Sequence, residues 1–276
     1  MKANFHTHCT FCDGKHDPEL YIEEALKKGF RALGFSSHVP MPFENSWAMK
    51  AGQETAYLKE IGRLKEKYKD RIQIYAGLEL DYYDSERRND FRQLELDYII
   101  GSVHWFTNME KQQYYSIDGN AEEFRATLNE LFKGDMKSFA TAYYKQMINM
   151  VREFKPDIVG HLDVIKKNNK GETYFSEKDP WYRALVNELL LVIAANGSIV
   201  EVNTGGITRG YIDEAYPSQW ILVECRKLDI PVVISADAHS AQDIDGCFEY
   251  AVSLLKESGY TEQRTLTNGV WISENL

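Results

Sequence analysis

Short apolar runs alternate along this chain with longer segments whose apolar residues recur at helical spacing. Each short run ends on a polar or ionisable residue: residues 32–38 end on His38, and residues 72–79 end on Glu79. Between these two runs, residues 54–69 carry apolar side chains at the spacing of one helix face. The pattern therefore predicts buried strands that alternate with amphipathic helices.

Seven strand-then-helix units follow one another in this way. Their strands are predicted at residues 3–8, 32–38, 72–79, 98–104, 157–161, 198–203 and 231–239. Helices are predicted from Asp17-Pro18 to Gly29, at 54–69, at 138–154, from Asp179-Pro180 to Gly197, at 218–228 and at 242–257, with a final short strand near 269–272. Repeated β–α units favour parallel strands, and about seven of them favour a closed or nearly closed barrel. We therefore expect one α/β domain over residues 1–276.

Residues 107–137 interrupt this alternation of predicted strands and helices. They are polar and aromatic, contain Gly119 and Gly134, and suggest one short helix around Phe124, Leu128 and Leu131. A long segment between a strand and its return helix can form a lid or a substrate wall. The alternative is a peripheral excursion without a function.

Six of the seven histidines lie at or just past the end of a predicted strand, and three carboxylates fall at the same level. The nine residues are His6, His8, His38, His104, His161, His239, Asp13, Glu79 and Asp237. In a β/α barrel the carboxyl ends of the strands converge on one face. Nine ligating groups exceed the needs of one tetrahedral ion and suit two or three divalent ions of zinc, manganese or iron type. Adjacent divalent ions serve in-line displacement at phosphorus.

Composition narrows the range of partners. The 42 acidic and 32 basic residues give a formal net charge of −10, which disfavours nucleic acid and anionic membranes as bulk partners. No stretch reads as a signal peptide or a membrane span, so a cytoplasmic location is expected. Cys9 and Cys12 form a C-x-x-C without a second such pair, and reduced, partly buried thiols beside the histidines are the preferred interpretation.

The motifs at the strand ends resemble those of the polymerase-and-histidinol-phosphatase (PHP) superfamily, in order over the full length. They are His6-Thr7-His8, Gly34-Phe35-Ser36-Ser37-His38, Gly77-Leu78-Glu79, Gly101-Ser102-Val103-His104, Gly160-His161-Leu162-Asp163, Glu201-Val202-Asn203 and Ser235-Ala236-Asp237-Ala238-His239. Within the superfamily the chain is most similar to histidinol-phosphate phosphatases. The resemblance implies a distorted (β/α)7 TIM-like barrel with a trinuclear metal centre. It also implies hydrolysis of L-histidinol phosphate in histidine biosynthesis.

The resemblance further implies which residues bind each metal ion. The first would be held by His6, His8, Glu79 and Asp237; the second by Glu79, as a bridge, with His104 and His161; the third by Asp13, His38 and His239. Many relatives have a histidine before the glycine of the first loop, where this chain has Asp13-Gly14. His16, three residues further on, is therefore an alternative ligand to Asp13.

The implied chemistry is in-line attack of a metal-bridging hydroxide on phosphorus, with Glu79, Asp237 and His239 as catalytic residues. Asp237 or His239 is expected to protonate the leaving alkoxide. No covalent phosphoenzyme is expected. A PHP-type phosphoesterase acting on another small phosphomonoester or a nucleotide is the main alternative, and a metal-dependent binding barrel is a weaker one.

Three further residues are candidates for binding the substrate. Arg209 lies in the glycine-rich segment 204–210, and its guanidinium fork matches phosphate geometry; the alternative is a solvated loop arginine. Lys166, in a run with Lys167 and Lys170, is a candidate for steering an anion, with a solvated charge run as the preferred alternative. Trp105 is a candidate wall for an imidazole ring, with core packing as the alternative.

Overall fold

A computed structural model describes residues 2–83, 91–108 and 113–276. In chain order its elements are β1 (Ala3–Asn4), α1 (Pro18–Lys27), β2 (Ala32–Phe35), α2 (Glu54–Tyr68), β3 (Gln73–Asp81), β4 (Tyr98–Ser102), β5 (Trp105–Asn108), β6 (Gln113–Ser116), α3 (Ala121–Phe132), α4 (Met136–Phe154), β7 (Ile158–Val159), α5 (Pro180–Asn196), β8 (Ile199–Asn203), α6 (Gly205–Thr208), α7 (Gln219–Lys227), β9 (Val232–Ser235), α8 (Phe248–Glu257), β10 (Glu262–Thr267) and β11 (Val270–Asn275).

Seven strands form one parallel sheet in the order β1-β2-β3-β4-β7-β8-β9. A parallel bridge between Thr7 and Ala238 joins the chain after β1 to the chain after β9. There the amide of His8 donates to the carbonyl of Ala238 at 2.9 Å, and the amide of Ala238 donates to the carbonyl of His6 at 3.1 Å. The sheet closes on itself, and the predicted distorted (β/α)7 barrel is confirmed.

All of the predicted helices are present, and local signals explain several of their ends. Helix α1 begins at Pro18, directly after Asp17, and α5 ends at Gly197, whose φ of 78° suits glycine. Helix α8 is shorter than predicted because Cys247 has a φ of 56° and α8 begins only after it. No helix in the part of the chain that the structure describes is long and apolar enough to span a membrane.

The amino-terminal half of the barrel interior is apolar. Its buried residues are Phe5, Ala32, Tyr75, Tyr98, Ile100, Ile158, Ile199, Val233 and Leu266. The antiparallel hairpin β10–β11 contributes Trp271, whose ring lies 5.2 Å from Phe5 and 6.3 Å from Tyr98. The strand predicted near 269–272 therefore exists, but it pairs with residues 262–267, for which no strand was predicted, and it closes the bottom of the barrel.

The segment that interrupts the sequence rhythm is an antiparallel hairpin, β5–β6, followed by α3. The single helix predicted there is confirmed, and Asn120 and Glu123 form a capping box at its start. The hairpin was not predicted, since its short aromatic strands lack clear alternation; its residues 109–112 lie outside the described residues. The amide of Ile117 donates to the carbonyl of His104 at 2.8 Å, which fixes the hairpin beside the end of β4.

Candidate metal centre

All nine predicted ligands lie together at the carboxyl ends of the barrel strands. The bridge between Thr7 and Ala238 places His6 and His8 beside Asp237, and a second bridge pairs His38 with Glu79. Seven of the nine side chains belong to buried residues, whereas Asp13 and His239 are partly exposed: the buried seven are His6, His8, His38, Glu79, His104, His161 and Asp237. Barrel closure thus creates one shared polar site from distant parts of the sequence.

A first group surrounds the Oε2 atom of Glu79. The Nε2 atom of His6 lies 3.2 Å from this oxygen, and the Nε2 atom of His8 lies 3.5 Å from it. The Oδ1 atom of Asp237 is 3.3 Å from His8 Nε2 and 3.7 Å from His6 Nε2. These four residues converge as the resemblance implies for the first ion.

A second group surrounds the other carboxylate oxygen of Glu79, Oε1. The Nε2 atoms of His161 and His104 lie 3.1 Å and 3.7 Å from it, and 3.2 Å from each other. The two oxygens of Glu79 therefore face two different groups of imidazoles. This arrangement suits a carboxylate that bridges two ions.

A third group contains one residue more than the sequence predicted. The potential ligand atoms of His8, Asp13, His38 and His239 all lie within 4.8 Å of one another. Asp13 Oδ2 is 3.2 Å from His239 Nε2, and the rings of His8 and His239 stack at 4.2 Å. His16 is not in this group: its Nδ1 accepts a hydrogen bond from the amide of Ala241 at 3.2 Å. Of the two alternative ligands, the structure brings only Asp13 to the cluster.

Several polar atoms of the cluster are buried without a hydrogen-bond partner among the described residues. They are His6 Nε2, His8 Nε2, Asp13 Oδ1, His38 Nδ1 and Glu79 Oε2. Buried polar atoms in folded proteins are normally satisfied. Imidazole nitrogens and carboxylate oxygens that face one another without a shared proton form the donor set of a divalent transition metal. These residues fit such ions.

Buried polar groups behind the cluster orient it. Glu201 Oε1 lies 2.6 Å from His6 Nδ1, Asp81 Oδ1 lies 2.7 Å from His104 Nδ1, and Ser102 donates to Glu79 Oε1 at 2.7 Å. A carboxylate that binds one ring nitrogen directs the other nitrogen towards a metal. Glu201 and Asp81 were not among the site residues predicted from the sequence. Their strand positions could have revealed them, because Asp81 follows Glu79 by two residues on the same face of β3.

The charges of the cluster are strongly coupled. Burial, followed by the neighbouring His239 and His38, lowers the pKa of His8 to about 3, which keeps its ring neutral. Burial alone would raise the pKa of Glu79, but His38 and His6 hold it well below its usual range. Burial likewise opposes ionisation of Asp237, yet the nearby Arg209 guanidinium keeps the pKa of this carboxyl well below its ordinary value. Both carboxylates are therefore ionised at neutral pH.

A cavity of about 690 Å³ opens above the cluster. Arg209 and Trp105 line it, as predicted. The Nη2 atom of Arg209 donates to Asp237 Oδ2 at 2.9 Å, and its side chain is 27% exposed. Trp105 stacks on Trp47 with ring centroids 5.8 Å apart and planes 8° from parallel. Contact of either residue with a substrate stays a prediction.

The prediction that Lys166 binds the substrate is wrong. Its ammonium group is buried and lies 3.0 Å from Asp163 Oδ2, 3.2 Å from Glu214 Oε1 and 2.9 Å from the carbonyl of Ala215. The turn after β7 directs Lys166 inwards, where these groups neutralise it, while the adjacent Lys167 lines the cavity. The preferred alternative, a solvated run, also fails for Lys166.

The C-x-x-C pair lies beside the histidines as free thiols, as expected. Cys12 Sγ is 3.4 Å from His8 Nδ1, and Cys9 Sγ is 3.4 Å from the hydroxyl of Ser37. Burial raises the pKa of the Cys9 thiol to about 11. Both cysteines therefore pack around the first loop as neutral groups.

Comparison with known proteins supports the resemblance in sequence motifs and the barrel fold. A family model described as the PHP domain matches residues 4–205. The histidinol-phosphatase of Bacillus subtilis is 30% identical over 90% of this chain and 97% of its own length. The histidinol-phosphatase of Saccharomyces cerevisiae is 24% identical over 93% of this chain and 82% of its own. The crystal structure of histidinol phosphate phosphatase from Lactococcus lactis, complexed with zinc, L-histidinol and phosphate, matches with a TM-score of 0.73 at 21% identity over 98% of both chains. This structural match supports the same barrel fold.

Proposed function

The chain belongs to the PHP domain family and is a phosphatase, and on that basis we propose that it hydrolyses L-histidinol phosphate to L-histidinol and inorganic phosphate. One observation carries the proposal: nine imidazole and carboxylate side chains converge at the floor of a cavity that Arg209 also lines. The histidinol-phosphatase activity of relatives that align with nearly the whole chain supports the choice of substrate.

We propose two to three divalent ions of zinc, manganese or iron type at this floor. The groups that would hold them are His6, His8, Glu79 and Asp237; Glu79, His104 and His161; and Asp13, His38 and His239, with His8 also near the last group. When bound, such ions supply a deprotonated water for in-line attack at phosphorus and neutralise charge on the phosphoryl oxygens. The protein's own contribution is to fix the ligands, through Glu201, Asp81 and Ser102.

Arg209 has two roles in this proposal. Its Nη1 and Nη2 atoms donate to the carbonyl and the carboxylate of Asp237 at 2.6 and 2.9 Å, which holds that ligand in place. The exposed part of the guanidinium faces the cavity, where it can bind a phosphoryl oxygen. A substitution of Arg209 should therefore affect both metal retention and phosphate binding.

Asp237 and His239 are the candidates for protonating the leaving alkoxide. Asp237 is the weaker acid catalyst, because Arg209 favours its ionised form. The His239 side chain is 21% exposed, and the residue lines the cavity. Its Nε2 atom can transfer a proton only while it is not a metal ligand. If the active protein binds a third ion through His239, this residue cannot be the proton donor. The number of ions bound to the active protein therefore tests His239 in that role.

The walls of the cavity suit a substrate that carries a phosphate, an ammonium group and an imidazole. Lys167 lines the cavity with Arg209 and adds positive charge, and Asp118 provides a carboxylate 3.8 Å from the Lys167 ammonium. The stacked rings of Trp47 and Trp105 form a flat apolar wall. Pockets of this size are typical for small molecules, and the acidic protein surface disfavours a polymeric nucleic acid.

The substrate test compares phosphomonoesters on one metal-loaded preparation. We expect kcat/KM for L-histidinol phosphate to exceed that for p-nitrophenyl phosphate, phosphotyrosine and a nucleoside monophosphate by at least about 10²-fold, because sites that hydrogen-bond a substrate group reject analogues without it by up to about 10⁴- to 10⁵-fold. Equal values would refute the assignment to L-histidinol phosphate. A clear preference for the nucleotide would support the alternative small-molecule phosphoesterase.

Two structural points remain proposals. We propose that residues 1–276 form one domain, because the bridge between Thr7 and Ala238 ties the first and last barrel strands together. We also propose that the described part of residues 107–137 is a cavity wall, since Ser116, Asp118 and Glu123 line the cavity.

The third ligand group is tested by counting bound metal in two variants. Asp13→Ala should lose bound metal and His16→Ala should not. Equal metal counts in the two variants would contradict the assignment of Asp13 as a ligand.

A further inference from the structure

Tyr216 is a buried residue that lines the catalytic cavity. It lies beyond α6, and its backbone pairs with Asn203 at the end of β8. The amide of Asn203 donates to the carbonyl of Tyr216 at 2.6 Å, and the amide of Tyr216 donates to the carbonyl of Asn203 at 3.0 Å. These two hydrogen bonds with Asn203 hold the backbone of Tyr216 at the metal end of the barrel.

The glycine-rich turn makes room for this ring. A Cβ atom at Gly206 would lie 2.7 Å from Cε2 of Tyr216 and 3.1 Å from its hydroxyl oxygen. The buried ammonium of Lys166 lies 5.4 Å from the ring centroid. The ring is therefore confined on two sides, so the phenol is fixed in place before any ligand binds.

The hydroxyl of Tyr216 has no hydrogen-bond partner among the described residues, although the residue is only 3% exposed. A buried polar group without a partner lowers stability, and native proteins retain one mainly where a ligand or function requires it. Burial raises the pKa of Tyr216 far above its ordinary value, so the phenol remains protonated and able to donate.

Gly205, which precedes Gly206 in the same turn, packs against Arg209, the candidate residue for binding the phosphate. A Cβ atom at Gly205 would lie 3.0 Å from Nη2 of Arg209. The guanidinium of Arg209 and the phenol of Tyr216 therefore flank the same two-glycine turn and line the same cavity. The non-bridging oxygens of a phosphomonoester dianion are all hydrogen-bond acceptors, which match a guanidinium and a protonated phenol.

We propose that Tyr216 is a catalytic residue that donates a hydrogen bond from its phenol to a phosphoryl oxygen of the substrate. The inference rests on the proposed function only in that the ligand is a phosphomonoester; it does not require histidinol as the leaving group. It assigns the two glycines of the turn a common role, since Gly206 accommodates the phenol and Gly205 the guanidinium.

The test is Tyr216→Phe, which removes one oxygen atom and keeps the ring. We expect kcat/KM for L-histidinol phosphate and for p-nitrophenyl phosphate to fall by about 10- to 100-fold, as for one hydrogen bond to a charged group. Competitive inhibition by inorganic phosphate should weaken by a similar factor. The number of bound ions should not change, and the Tm should stay the same or rise because an unpaired buried hydroxyl is lost.

Tyr260→Phe is the matched control. Its phenol is also buried, but the hydroxyl donates to the carbonyl of Ile230 at 2.9 Å, away from the cavity. This variant should have a lower Tm with unchanged kinetics and phosphate inhibition.

Wild-type kinetics and phosphate inhibition in Tyr216→Phe would overturn the inference. Loss of bound metal, or a fall in Tm like that of the control, would also overturn it, because Tyr216 would then have a structural role. If the wild-type protein shows no preference for L-histidinol phosphate while Tyr216→Phe still weakens phosphate inhibition, the proposed substrate is wrong and this inference stands.

Discussion

The two ends of the barrel are built from the same strands but have opposite character. Strand β3 places Tyr75 in the apolar cluster at the amino end and Glu79 in the polar cluster at the carboxyl end. Strand β8 likewise places Ile199 at one end and Glu201 at the other. Within a single strand, residues only a few positions apart thus lie in an apolar core at one end and in a site of ionisable side chains at the other.

The ends also differ in how the polar atoms inside the barrel are paired, although the hydroxyls of Thr265 and Thr267 in the hairpin at the amino end are buried without partners among the described residues as well. At the amino end, the hydroxyl of Tyr98 lies within hydrogen-bond distance of the carbonyls of Phe5 and Phe35, at 2.5 and 3.1 Å. At the carboxyl end, ring nitrogens of His6, His8 and His38 are buried without partners among the described residues. The amino end therefore contributes stability, and the carboxyl end retains unpaired groups for ions and substrate. Substitutions at the two ends should separate these roles.

The largest effect is expected at the carboxyl end, from Glu79→Gln. Glutamine keeps the shape but removes the charge that both imidazole groups face. We expect kcat/KM to fall by at least about 10³-fold, beyond the losses typical of residues that only orient metal ligands. Steady-state kinetics and metal analysis measure the change. Retained activity with a full metal complement would show that Glu79 does not bridge the groups.

At the amino end, Trp271→Ala should affect stability and leave catalysis intact. It removes the ring that contacts Phe5 and Tyr98 beneath the barrel. Since Trp271 is only partly buried, we expect the free energy of unfolding to fall by about 2–3 kcal/mol, less than for a fully buried tryptophan. Urea unfolding measures this loss. A large fall in kcat/KM at unchanged stability would contradict the separation of the two ends.

Glu201→Gln tests the groups that orient the ligands. Glu201 Oε1 contacts His6 Nδ1, and Oε2 accepts hydrogen bonds from the amide of His161 and from Asn203. Metal affinity should fall by about 10- to 100-fold, the usual effect of losing such a partner. Competition with a chelator of known affinity measures it. An unchanged affinity would mean that the backbone alone positions His6.

The smallest effect is expected at the surface, where Asp245 binds Lys2 and Lys28 at 2.5 Å each. Burial opposes ionisation of Asp245, but the two lysines lower its pKa. Its contribution is therefore fully present above the unfolded pKa of about 3.9 and is lost as the pH falls through the lower folded pKa. Asp245→Asn should lower stability by about 0.5–1 kcal/mol at pH 7, because partly exposed pairs are screened.

Urea titrations at several pH values measure the effect of Asp245→Asn. The difference from the wild-type protein should remain constant between pH 6 and 7 and shrink at acidic pH. A difference that persists undiminished below pH 3 would exclude the ion pair as its cause.

The parts of the molecule that repeat or converge could be predicted from the sequence. The β–α rhythm defined the seven barrel strands, and proline and glycine marked the ends of α1 and α5. The nine candidate ligands were recognised because histidines and carboxylates recur at strand ends, and the closed barrel brings strand ends together. In these cases each local signal has a single structural consequence.

The parts that depend on packing between distant segments could not be predicted. From the sequence, Lys166 is expected to be a surface cation. In the structure its ammonium group contacts the buried residues Asp163 and Ser218. Hairpins β5–β6 and β10–β11 are short, and their stability comes from packing on the barrel. In the sequence, Tyr216 has no feature that distinguishes it from other aromatic loop residues. Its unpaired hydroxyl and its place in the cavity wall depend on the folded structure.

We propose that the carboxyl end of the barrel is a metal-dependent site for L-histidinol phosphate. The most direct measurement is the hydrolysis rate of this ester during titration of chelator-treated protein with Mn²⁺ or Zn²⁺, with bound ions counted at each point. We expect no significant hydrolysis without metal and a rate that rises until two or three ions are bound per chain. Full activity in protein that contains no bound ion would contradict it.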